Sequence, residues 1–349
     1  ITADYETHPR KRYTLADGAG ILSNLAQVFR RFSMSVYTPL TLKEVQVFAA
    51  PYGLEVVELI PIQGGIQNTN YFLRCDNQNQ YVLTIFEELD QQAAGELIPV
   101  LQYLGQVDLP VTVPLSHSGQ AIHRLKDKPA QIAPRLIGQH PTLTTVAQVE
   151  AIAIAQAKMH VALQNFPLQR DHVRDHAYWA GVARQLKPSM HVADQALLSK
   201  LLGLYEALST VYPQRPKGFI HSDLFRDNTL FADDHLQGIL DFYELNQDEL
   251  LFDIAITLND FCTDFPELSL NESKAIAFLN AYETVRPLTQ DEKACLELYL
   301  AMAAGRFWLM RLQVAAKNLA EGRTGADILQ KNPDEMRNML IERLKFVTA

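Results

Sequence analysis

Cysteine is scarce in this chain of 349 residues. The three that occur, Cys75, Cys262 and Cys295, are far apart and include no C-x-x-C pair. A disulfide framework needs an even set of cysteines, and a structural zinc site needs closely spaced cysteine or histidine ligands. The set argues against both, and we expect three reduced thiols in a cytoplasmic protein.

Long apolar runs are absent as well. A membrane-spanning helix needs about 20 apolar residues in succession. The longest apolar stretches of this chain, such as 151–157, are interrupted by Gln, Lys or Glu. The first residues are polar and charged, without the apolar core of a secretory signal. These absences predict a soluble protein without a membrane partner.

Net positive charge is the third absence. The chain has 40 acidic and 31 basic residues, a formal charge of −9. Proteins that neutralise many nucleic-acid phosphates usually carry the opposite balance. Nucleic acid is therefore not expected as the main partner. The 48% hydrophobic content suffices for one large core or for two lobes around a small-molecule cleft.

Residues 1–35 are interpreted as an extension of the functional domain. The chain begins with Ile1, and Met34 directly precedes the first well-capped helix signal. Apolar residues recur at helical spacing between residues 21 and 32, which predicts an amphipathic helix. Its apolar face can pack against the domain or lie on a membrane surface, and packing is the interpretation that we favour.

Residues 36–136 have the signals of a small lobe built on an antiparallel sheet. Thr41 and Glu44 form a capping-box pattern at the start of a first helix. Strand patterns and turn-forming residues then alternate. The expected strands are 55–63, 69–75, 80–86, 111–114, 121–125 and 131–136, and the expected helix is 91–107.

Residues 137–349 change to a pattern of long helices. Helical periodicity marks 142–165, 175–186 and 194–212, and helices resume at residue 249 after a β excursion at 218–241. Strands first and helices later predict an α+β fold. A small sheet-containing lobe would be joined, near residues 133–138, to a larger and mainly helical lobe.

The most informative stretch contains His221, Asp223 and Asn228, an H-x-D-x-x-x-x-N pattern between two apolar segments. Asp241 follows at the end of an apolar strand. A short β-turn-β unit would bring Asn228 and Asp241 to the same end of a hairpin. The alternative is a set of ordinary loop acids. The pattern alone is weak, but the strand ending in Asp favours a catalytic loop.

These side chains suit phosphoryl transfer. The reaction needs a carboxylate that orients the acceptor hydroxyl and accepts its proton, and hard oxygen ligands that hold Mg²⁺ against the nucleotide phosphates. Asp223 fits the first task, and Asn228 and Asp241 fit the second. The residues therefore predict an enzyme that uses ATP and Mg²⁺.

Six short segments carry a family resemblance: 65–71, 81–87, 221–228, 238–244, 251–255 and 306–311. In order and spacing they are similar to the aminoglycoside phosphotransferase/choline kinase superfamily, and most closely to its homoserine kinase branch. The resemblance covers residues from about 36 to 345. It implies a protein-kinase-like two-lobe fold and the ATP-dependent conversion of L-homoserine to O-phospho-L-homoserine, a step of threonine biosynthesis.

The resemblance also implies a role for each site residue. Asp223 is the catalytic base, while Asn228 and Asp241 are magnesium ligands. His221 and Asp253 give the loop structural support. The nucleotide would contact a glycine-rich loop, the third strand and the hinge, at Gly65, Ile66, Asn68, Thr69, Asn70, Thr84, Arg135 and Leu136. A Gly-Gly turn by itself fits a plain hairpin equally well.

The third strand departs from the usual kinase pattern. Kinases of this fold usually place a lysine there to hold the α- and β-phosphates, whereas this chain has Thr84. The homoserine kinase branch resembles it in this respect. Because a hydroxyl supplies no charge, weakened catalysis and a non-catalytic nucleotide-binding protein are alternatives. Arg226 or magnesium itself are the candidates for the missing charge.

Homoserine indicates what an acceptor site should contain. Its ammonium group needs an acid, and its carboxylate needs an arginine. The candidates are Tyr243, Glu244, Arg306 and Arg311. Either arginine fits a helix surface equally well, with its stem on the core. Choline and aminoglycosides are the alternative acceptors, and the sequence predicts no particular oligomeric state.

Overall fold

The computed structural model of the protein describes residues 38–62, 68–168, 170, 173–320 and 331–347. The expected N-terminal extension lies outside the described residues, as do Gly65 and Ile66 of the expected phosphate loop. None of the helices in the described ranges combines the length and the apolar character needed to cross a membrane.

A five-stranded antiparallel sheet forms the N-terminal part of the protein. Its strands are β1 (Val56–Pro61), β2 (Asn68–Cys75), β3 (Gln80–Phe86), β4 (His123–Leu125) and β5 (Lys128–Pro134), in the spatial order β1-β2-β3-β5-β4. Side chains alternate between the faces of β2. Tyr71 and Leu73 enter the core of the sheet, whereas Asn70 and Phe72 face a cavity. The predicted meander is confirmed, and it gives the sheet one apolar face and one functional face.

The segment 111–114 is not a strand, contrary to the prediction. Val111 forms a single isolated bridge with Ile239. Pro110 and Pro114 lie on either side and have no N–H to donate to a ladder. The bridge instead connects this segment to the hairpin that follows the H-x-D loop.

Helices α1 (Leu42–Ala49), α2 (Gln91–Gly95) and α3 (Ile98–Gln106) accompany the sheet. The capping box predicted for α1 is confirmed. The single helix predicted at 91–107 is divided in two, because Pro99 lacks the N–H that would continue α2. Pro99 lies instead in the first turn of α3, where proline is tolerated. Val100 and Leu104 of α3 join the core of the helical part.

Helices dominate the rest of the described chain. They are α4 (Val146–Leu163), α5 (His176–Leu186), α6 (Val192–Val211), α7 (Leu250–Phe261), α8 (Glu272–Glu283), α9 (Gln290–Ala320) and α10 (Pro333–Arg343). Side-chain caps determine where α4 and α5 begin: Thr145 accepts the N–H of Gln148, and Asp175 accepts the N–H of Tyr178. The helices predicted over 142–212 are confirmed, with slightly different ends.

Helix α9 is central to the helical part and is buried from Leu298 to Leu309. Helices α6, α7 and α10 pack against it. Gly305 permits the close approach of α6, because a Cβ at this position would lie 2.4 Å from Leu201 Cδ2. The next residue, Arg306, lies on the wall of the cavity described below.

Short antiparallel ladders lie between α6 and α7. Strand β6 (Lys217–Ile220) pairs with β9 (Asn246–Glu249), and β7 (Thr229–Ala232) pairs with β8 (His235–Ile239). A further pair, β10 (Thr263–Asp264) and β11 (Ser269–Leu270), follows α7. The predicted α+β class is confirmed. The lobe boundaries 36–136 and 137–349 stay predictions.

Candidate functional site

A cavity of about 770 Å³ lies between the five-stranded sheet and the helical part. Strands β2 and β3 contribute Asn70 and Thr84 to its wall. The loop between β6 and β7 contributes Asp223 and Asn228, and the end of the β7–β8 hairpin contributes Asp241. The fold thus places the three side chains of the proposed phosphotransfer centre on one cavity.

The loop between β6 and β7 is held by Asp253, which is fully buried in the first turn of α7. Its carboxylate accepts the backbone N–H of His221 at 3.2 Å and that of Ser222 at 2.8 Å. Nε2 of His160 and Nε2 of Gln156 each donate to Asp253 Oδ2 at 3.0 Å. Since Ser222 has a φ of +71°, which is strained for a residue other than glycine, the loop depends on this anchor.

The His221 ring connects this loop to the end of β8. Its Nδ1 accepts the N–H of Asp223 at 3.3 Å, and its Nε2 donates to the carbonyl of Leu240 at 2.8 Å. This pair of bonds requires the tautomer protonated at Nε2. Burial lowers the pKa of His221, which favours the neutral ring. Because Leu240 directly precedes Asp241, one ring fixes the backbone beside both acids.

Asn228 and Asp241 meet at the open end of the β7–β8 hairpin. Thr229 pairs with Ile239 in the ladder, and the Leu240 N–H donates to the Asn228 carbonyl at 2.9 Å. Asp241 has a φ of +60°, a left-handed conformation that aspartate adopts more readily than most residues. The predicted hairpin geometry is confirmed.

Asn228 also orients Asp223. Its Nδ2 donates to Asp223 Oδ2 at 2.9 Å and to the Asp223 carbonyl at 2.7 Å. The amide oxygen Oδ1 of Asn228 accepts no hydrogen bond from the described residues. This oxygen is therefore available to a cation.

Negative charge is concentrated at this end of the cavity. Burial raises the pKa of Asp223 well above its ordinary value, and the neighbouring charges of Asp241 and Asp227 raise it further. Burial and the charge of Glu244 raise the pKa of Asp241 to about 6. Carboxylates that repel each other in a poorly hydrated site are stabilised by a bound cation.

The donor set fits a hard divalent cation that also coordinates a ligand. Asp241 and Asn228 offer a carboxylate and an amide oxygen, which Mg²⁺ prefers to nitrogen or sulfur. No group of three or more His, Cys, Asp or Glu side chains that could hold a metal ion occurs in the described ranges. Nucleotide phosphates and water would therefore complete the coordination, as Mg²⁺ usually requires in such sites.

Thr84, expected at the place of the usual kinase lysine, lies on the cavity wall. Its hydroxyl donates to Asn70 Oδ1 at 2.8 Å, across the β2–β3 pair. Arg226, the candidate for the missing charge, is not among the residues that line the cavity. Its Nε donates to Asp260 at 3.0 Å and its Nη1 to the Thr142 carbonyl at 2.6 Å.

Lys331 is a cation of this wall that the sequence did not single out. Its Nζ lies 2.8 Å from Asp227 Oδ2 and 5.5 Å from the centroid of the Phe225 ring. Its positive charge opposes the rise in the pKa of Asp223. Lys331 comes 104 residues after Asp227, so only the tertiary fold brings it to the loop.

The other residues expected at the nucleotide differ in their placement. Asn68 and Leu136 line the cavity. The Thr69 side chain points to the opposite face of β2, because it alternates with its neighbours. The Arg135 guanidinium stacks 3.8 Å from the centroid of the Phe72 ring, which itself faces the cavity. Neither Thr69 nor Arg135 is among the residues that line the cavity.

The residues expected at the acceptor lie on the helical side of the cavity. Tyr243, Glu244 and Arg306 line it. Arg311 also reaches the wall, but its guanidinium is held by α10, where it pairs with Glu335 at 3.4 Å. The structure therefore distinguishes Arg306 from Arg311 as candidates for binding the acceptor, which the sequence could not do.

Arg174, Tyr178 and Trp179 were missed by the sequence reasoning, although they line the same wall. The Arg174 guanidinium lies 4.5 Å from the Tyr178 ring centroid and 3.8 Å from Glu244. Tyr178 and Trp179 belong to the first turn of α5, which sequence periodicity marks only as a packed helix.

A protein-family comparison finds one matching family, described as "Phosphotransferase enzyme family", over residues 58–288. The matched span runs from β1 through the H-x-D loop and α7 to the end of α8. It therefore includes both the sheet and the acidic end of the cavity.

Curated relatives resemble most of the chain. A protein of Janthinobacterium sp. (strain Marseille) is 35% identical over 283 residues, which cover 80% of this chain and 88% of the relative. One of Polaromonas naphthalenivorans (strain CJ2) is 34% identical over 315 residues, which cover 89% and 98%. One of Pseudomonas aeruginosa (strain LESB58) is 35% identical over 312 residues, which cover 89% and 96%. Each relative bears the name homoserine kinase.

Solved structures share the fold at low sequence identity. An amicoumacin kinase in complex with AMP-PNP, Ca²⁺ and Ami has a TM-score of 0.63 at 15% identity, covering 92% of this chain and 95% of the other. A spectinomycin phosphotransferase in complex with ADP and spectinomycin has a TM-score of 0.66 at 13% identity, covering 88% and 99%. These likenesses show the two-lobe kinase-like fold alone.

Proposed function

Because this chain belongs to the phosphotransferase enzyme family, we propose that it transfers the γ-phosphoryl group of ATP to the hydroxyl of L-homoserine. The observation that carries the proposal is the placement of Asp223, Asn228 and Asp241 on one cavity between sheet and helices. The relatives named homoserine kinase, 34–35% identical over most of the chain, support the choice of acceptor.

Asp223 would act as the catalytic base. It orients the acceptor hydroxyl and takes its proton while the hydroxyl oxygen bonds to the γ-phosphorus. The bond from that phosphorus to the β,γ-bridging oxygen breaks, and ADP leaves with the electron pair. Positioning supplies much of the rate enhancement in such a reaction. The Asn228 amide and the Asp253 anchor hold Asp223 for this purpose.

Asn228 Oδ1 and the Asp241 carboxylate would hold a magnesium ion. When bound, it neutralises charge on the phosphate oxygens. The crowding of Asp223 and Asp241 supports this assignment, because both carboxyls have a raised pKa that a cation would lower.

The nucleotide would lie along the functional face of the sheet. Asn70 and Thr84 are placed beside the phosphates, and Leu136 beside the adenine, in the hinge between a lobe of residues 36–136 and a lobe of residues 137–349. Lys331 would supply part of the positive charge that a strand lysine gives to other kinases.

The proposed activity is cytoplasmic and would serve threonine biosynthesis. Cys75, Cys262 and Cys295 are buried and unpaired, as suits a reducing compartment. The product would be O-phospho-L-homoserine, and the partner of the protein would be a small molecule.

A turnover assay with competing acceptors tests the proposal. The purified protein is given ATP and Mg²⁺ with L-homoserine, choline or an aminoglycoside, and both ADP and the phosphorylated product are measured. We expect kcat/KM for homoserine to exceed that for the other acceptors by about 100-fold or more. A preference for choline would overturn the acceptor, and ATP binding without transfer to any acceptor would indicate a non-catalytic protein.

The Asp223→Ala variant tests the base. We expect its turnover to fall by about 10³-fold or more, with thermal unfolding close to that of the wild type. Turnover within about tenfold of the wild type would show that another group accepts the proton.

A further inference from the structure

Arg306 is a buried cation with unused hydrogen-bonding capacity. The residue is only 4% exposed. Its Nε and Nη1 nevertheless find no acceptor in the described part of the chain. Buried charged donors are normally paired, because leaving one unpaired costs its full desolvation. Arg306 therefore requires a hydrogen-bond acceptor that the described residues do not provide.

Aromatic rings enclose the Arg306 guanidinium. The ring centroids of Trp179, Phe252 and Phe307 lie 5.1, 5.3 and 5.8 Å from its central carbon. Helices α5, α7 and α9 contribute one ring each. Aromatic faces favour a cation but accept few of its hydrogen bonds. The rings therefore surround the guanidinium, and its Nε and Nη1 have no acceptor among the described residues.

Arg343 shows how the same fold pairs an arginine that serves structure. It is 2% exposed. Its Nε donates to Asn259 Oδ1 at 2.8 Å, its Nη1 to the Leu268 carbonyl at 2.8 Å and its Nη2 to Thr263 Oγ1 at 2.6 Å. Arg306 differs from it in two ways: the described residues give its Nε and Nη1 no acceptor, and it lies on the cavity wall.

The charge of Arg306 is balanced from a distance. Burial lowers its pKa, and the negative charges of Asp248, Glu244 and Asp223 oppose that change. Asp248 exerts the largest of these effects, but its Oδ2 has no hydrogen-bond partner in the described ranges either. The charges of these acids thus favour the cationic guanidinium, while its buried Nε and Nη1 have no acceptor in the described ranges.

We propose that Arg306 binds the carboxylate of the acceptor and so restricts this kinase to hydroxy amino acids. The inference rests on the proposed function and names the group that selects the acceptor. Arg306 and the proposed base Asp223 line the same cavity and interact electrostatically. A short molecule with a hydroxyl at one end and a carboxylate at the other would bind between them.

This assignment also limits the alternative acceptors. Choline has no carboxylate, and its quaternary ammonium would be repelled by the guanidinium. Aminoglycosides carry several ammonium groups and no carboxylate, so they meet the same repulsion. A neutral amide in place of the carboxylate has one oxygen acceptor fewer and no charge, and it would leave Arg306 poorly paired.

The test combines two acceptors with four proteins. L-homoserine is compared with L-homoserine amide, in which a neutral amide replaces the carboxylate, for the wild type, Arg306→Gln, Arg306→Lys and Arg311→Gln. The quantity measured is the ratio of kcat/KM for homoserine to that for the amide. We expect a ratio of about 100 or more for the wild type. Arg306→Gln should bring the ratio close to one, because only the homoserine reaction loses a charge-assisted bond.

The other two variants refine the result. Arg306→Lys keeps the charge but loses the planar fork, so its ratio should be intermediate. Arg311→Gln should keep the wild-type ratio, because its guanidinium already pairs with Glu335. Thermal unfolding of each variant shows whether it is folded.

Several outcomes would overturn the inference. If Arg306→Gln slows both acceptors by the same factor, the residue is structural only. If Arg311→Gln collapses the ratio, the carboxylate binds there instead. Should Arg306→Gln fail to fold, the wild-type ratio and Arg306→Lys still decide, since a wild-type ratio near one contradicts the proposal. A wild type that phosphorylates neither acceptor would contradict the proposed function itself, before any variant is considered.

Discussion

Replacement of Asp253 by asparagine tests how the loop between β6 and β7 is held. The change conserves shape but removes the charge and turns one acceptor oxygen into a donor nitrogen. Asp253 Oδ1 accepts the Ser222 N–H, and Oδ2 accepts from His160, Gln156 and the His221 N–H. The amide would place its nitrogen at Oδ1, because that choice loses one bond rather than three.

The size of the effect follows from these bonds. A hydrogen bond to a charged group contributes about 1.5–3 kcal/mol, against about 1 kcal/mol for a neutral pair. Asp253→Asn loses the Ser222 bond, leaves that N–H facing another donor and makes the remaining three bonds neutral. We expect a loss of about 3–5 kcal/mol in the free energy of unfolding, the range found when a buried charge pair is broken.

The same variant has a pH signature. Burial alone would raise the pKa of Asp253, but His160 and the N–H of Ser222 outweigh it and hold the pKa below its ordinary value of 3.8. A carboxyl with a lowered folded-state pKa stabilises the fold above its unfolded-state pKa, and this contribution is lost as the pH falls through the folded-state pKa. The stability difference between wild type and Asp253→Asn should be full at pH 7 and should shrink below about pH 4.

Urea unfolding followed by circular dichroism measures these differences. Asp264→Asn is the matched control, since Asp264 is exposed and accepts only long bonds of 3.1 and 3.2 Å from Asn271. The control should change stability by no more than about 0.5 kcal/mol. Turnover of Asp253→Asn should fall as well, because Asp223 follows the anchored residues. Equal urea midpoints for Asp253→Asn and the wild type at pH 7 would refute the reasoning.

Three further substitutions examine other parts of the cavity and its support. Asp241→Asn should raise the Mg²⁺ concentration for half-maximal activity by about tenfold or more, and an unchanged Mg²⁺ titration would remove Asp241 from the metal site. Lys331→Met should raise the KM for ATP by about five- to tenfold with little effect on the KM for homoserine; the reverse pattern would place Lys331 at the acceptor. Gly305→Ala should lower the free energy of unfolding in urea by about 1–3 kcal/mol, because the added Cβ would clash with Leu201. A neutral or stabilising result would show that α6 can shift to accommodate the methyl group.

The acidic end of the cavity could be predicted because its geometry is local. Asn228 precedes β7 and Asp241 follows β8, so that a single hairpin brings them together. The H-x-D spacing likewise places His221 two residues from Asp223, close enough for its ring to accept the Asp223 N–H. Short-range turn and strand patterns carry enough information for contacts of this kind.

The cationic part of the wall depends on contacts between distant segments. Lys331 meets Asp227 only through the packing of the C-terminal part of the chain. The enclosure of Arg306 needs rings from three helices, which no spacing along the sequence reveals. Local signals that were overlooked account for other errors: Pro99 divides the predicted helix 91–107, and the prolines around Val111 prevent a strand.

Charge is divided along the cavity in a way that would set the direction of the acceptor. Asp223 and Asp241 make one end acidic, and their charges would repel a carboxylate placed there. Arg306 offers a positive charge on the helical wall, and its Nε and Nη1 have no acceptor among the described residues. A hydroxy amino acid with its hydroxyl toward Asp223 would bring its carboxylate to Arg306 and leave its ammonium to an acid of the wall such as Glu244. The reversed molecule would bring its carboxylate against Asp223 and Asp241 and leave Arg306 without an anion, so the Arg306 contact would favour the productive orientation.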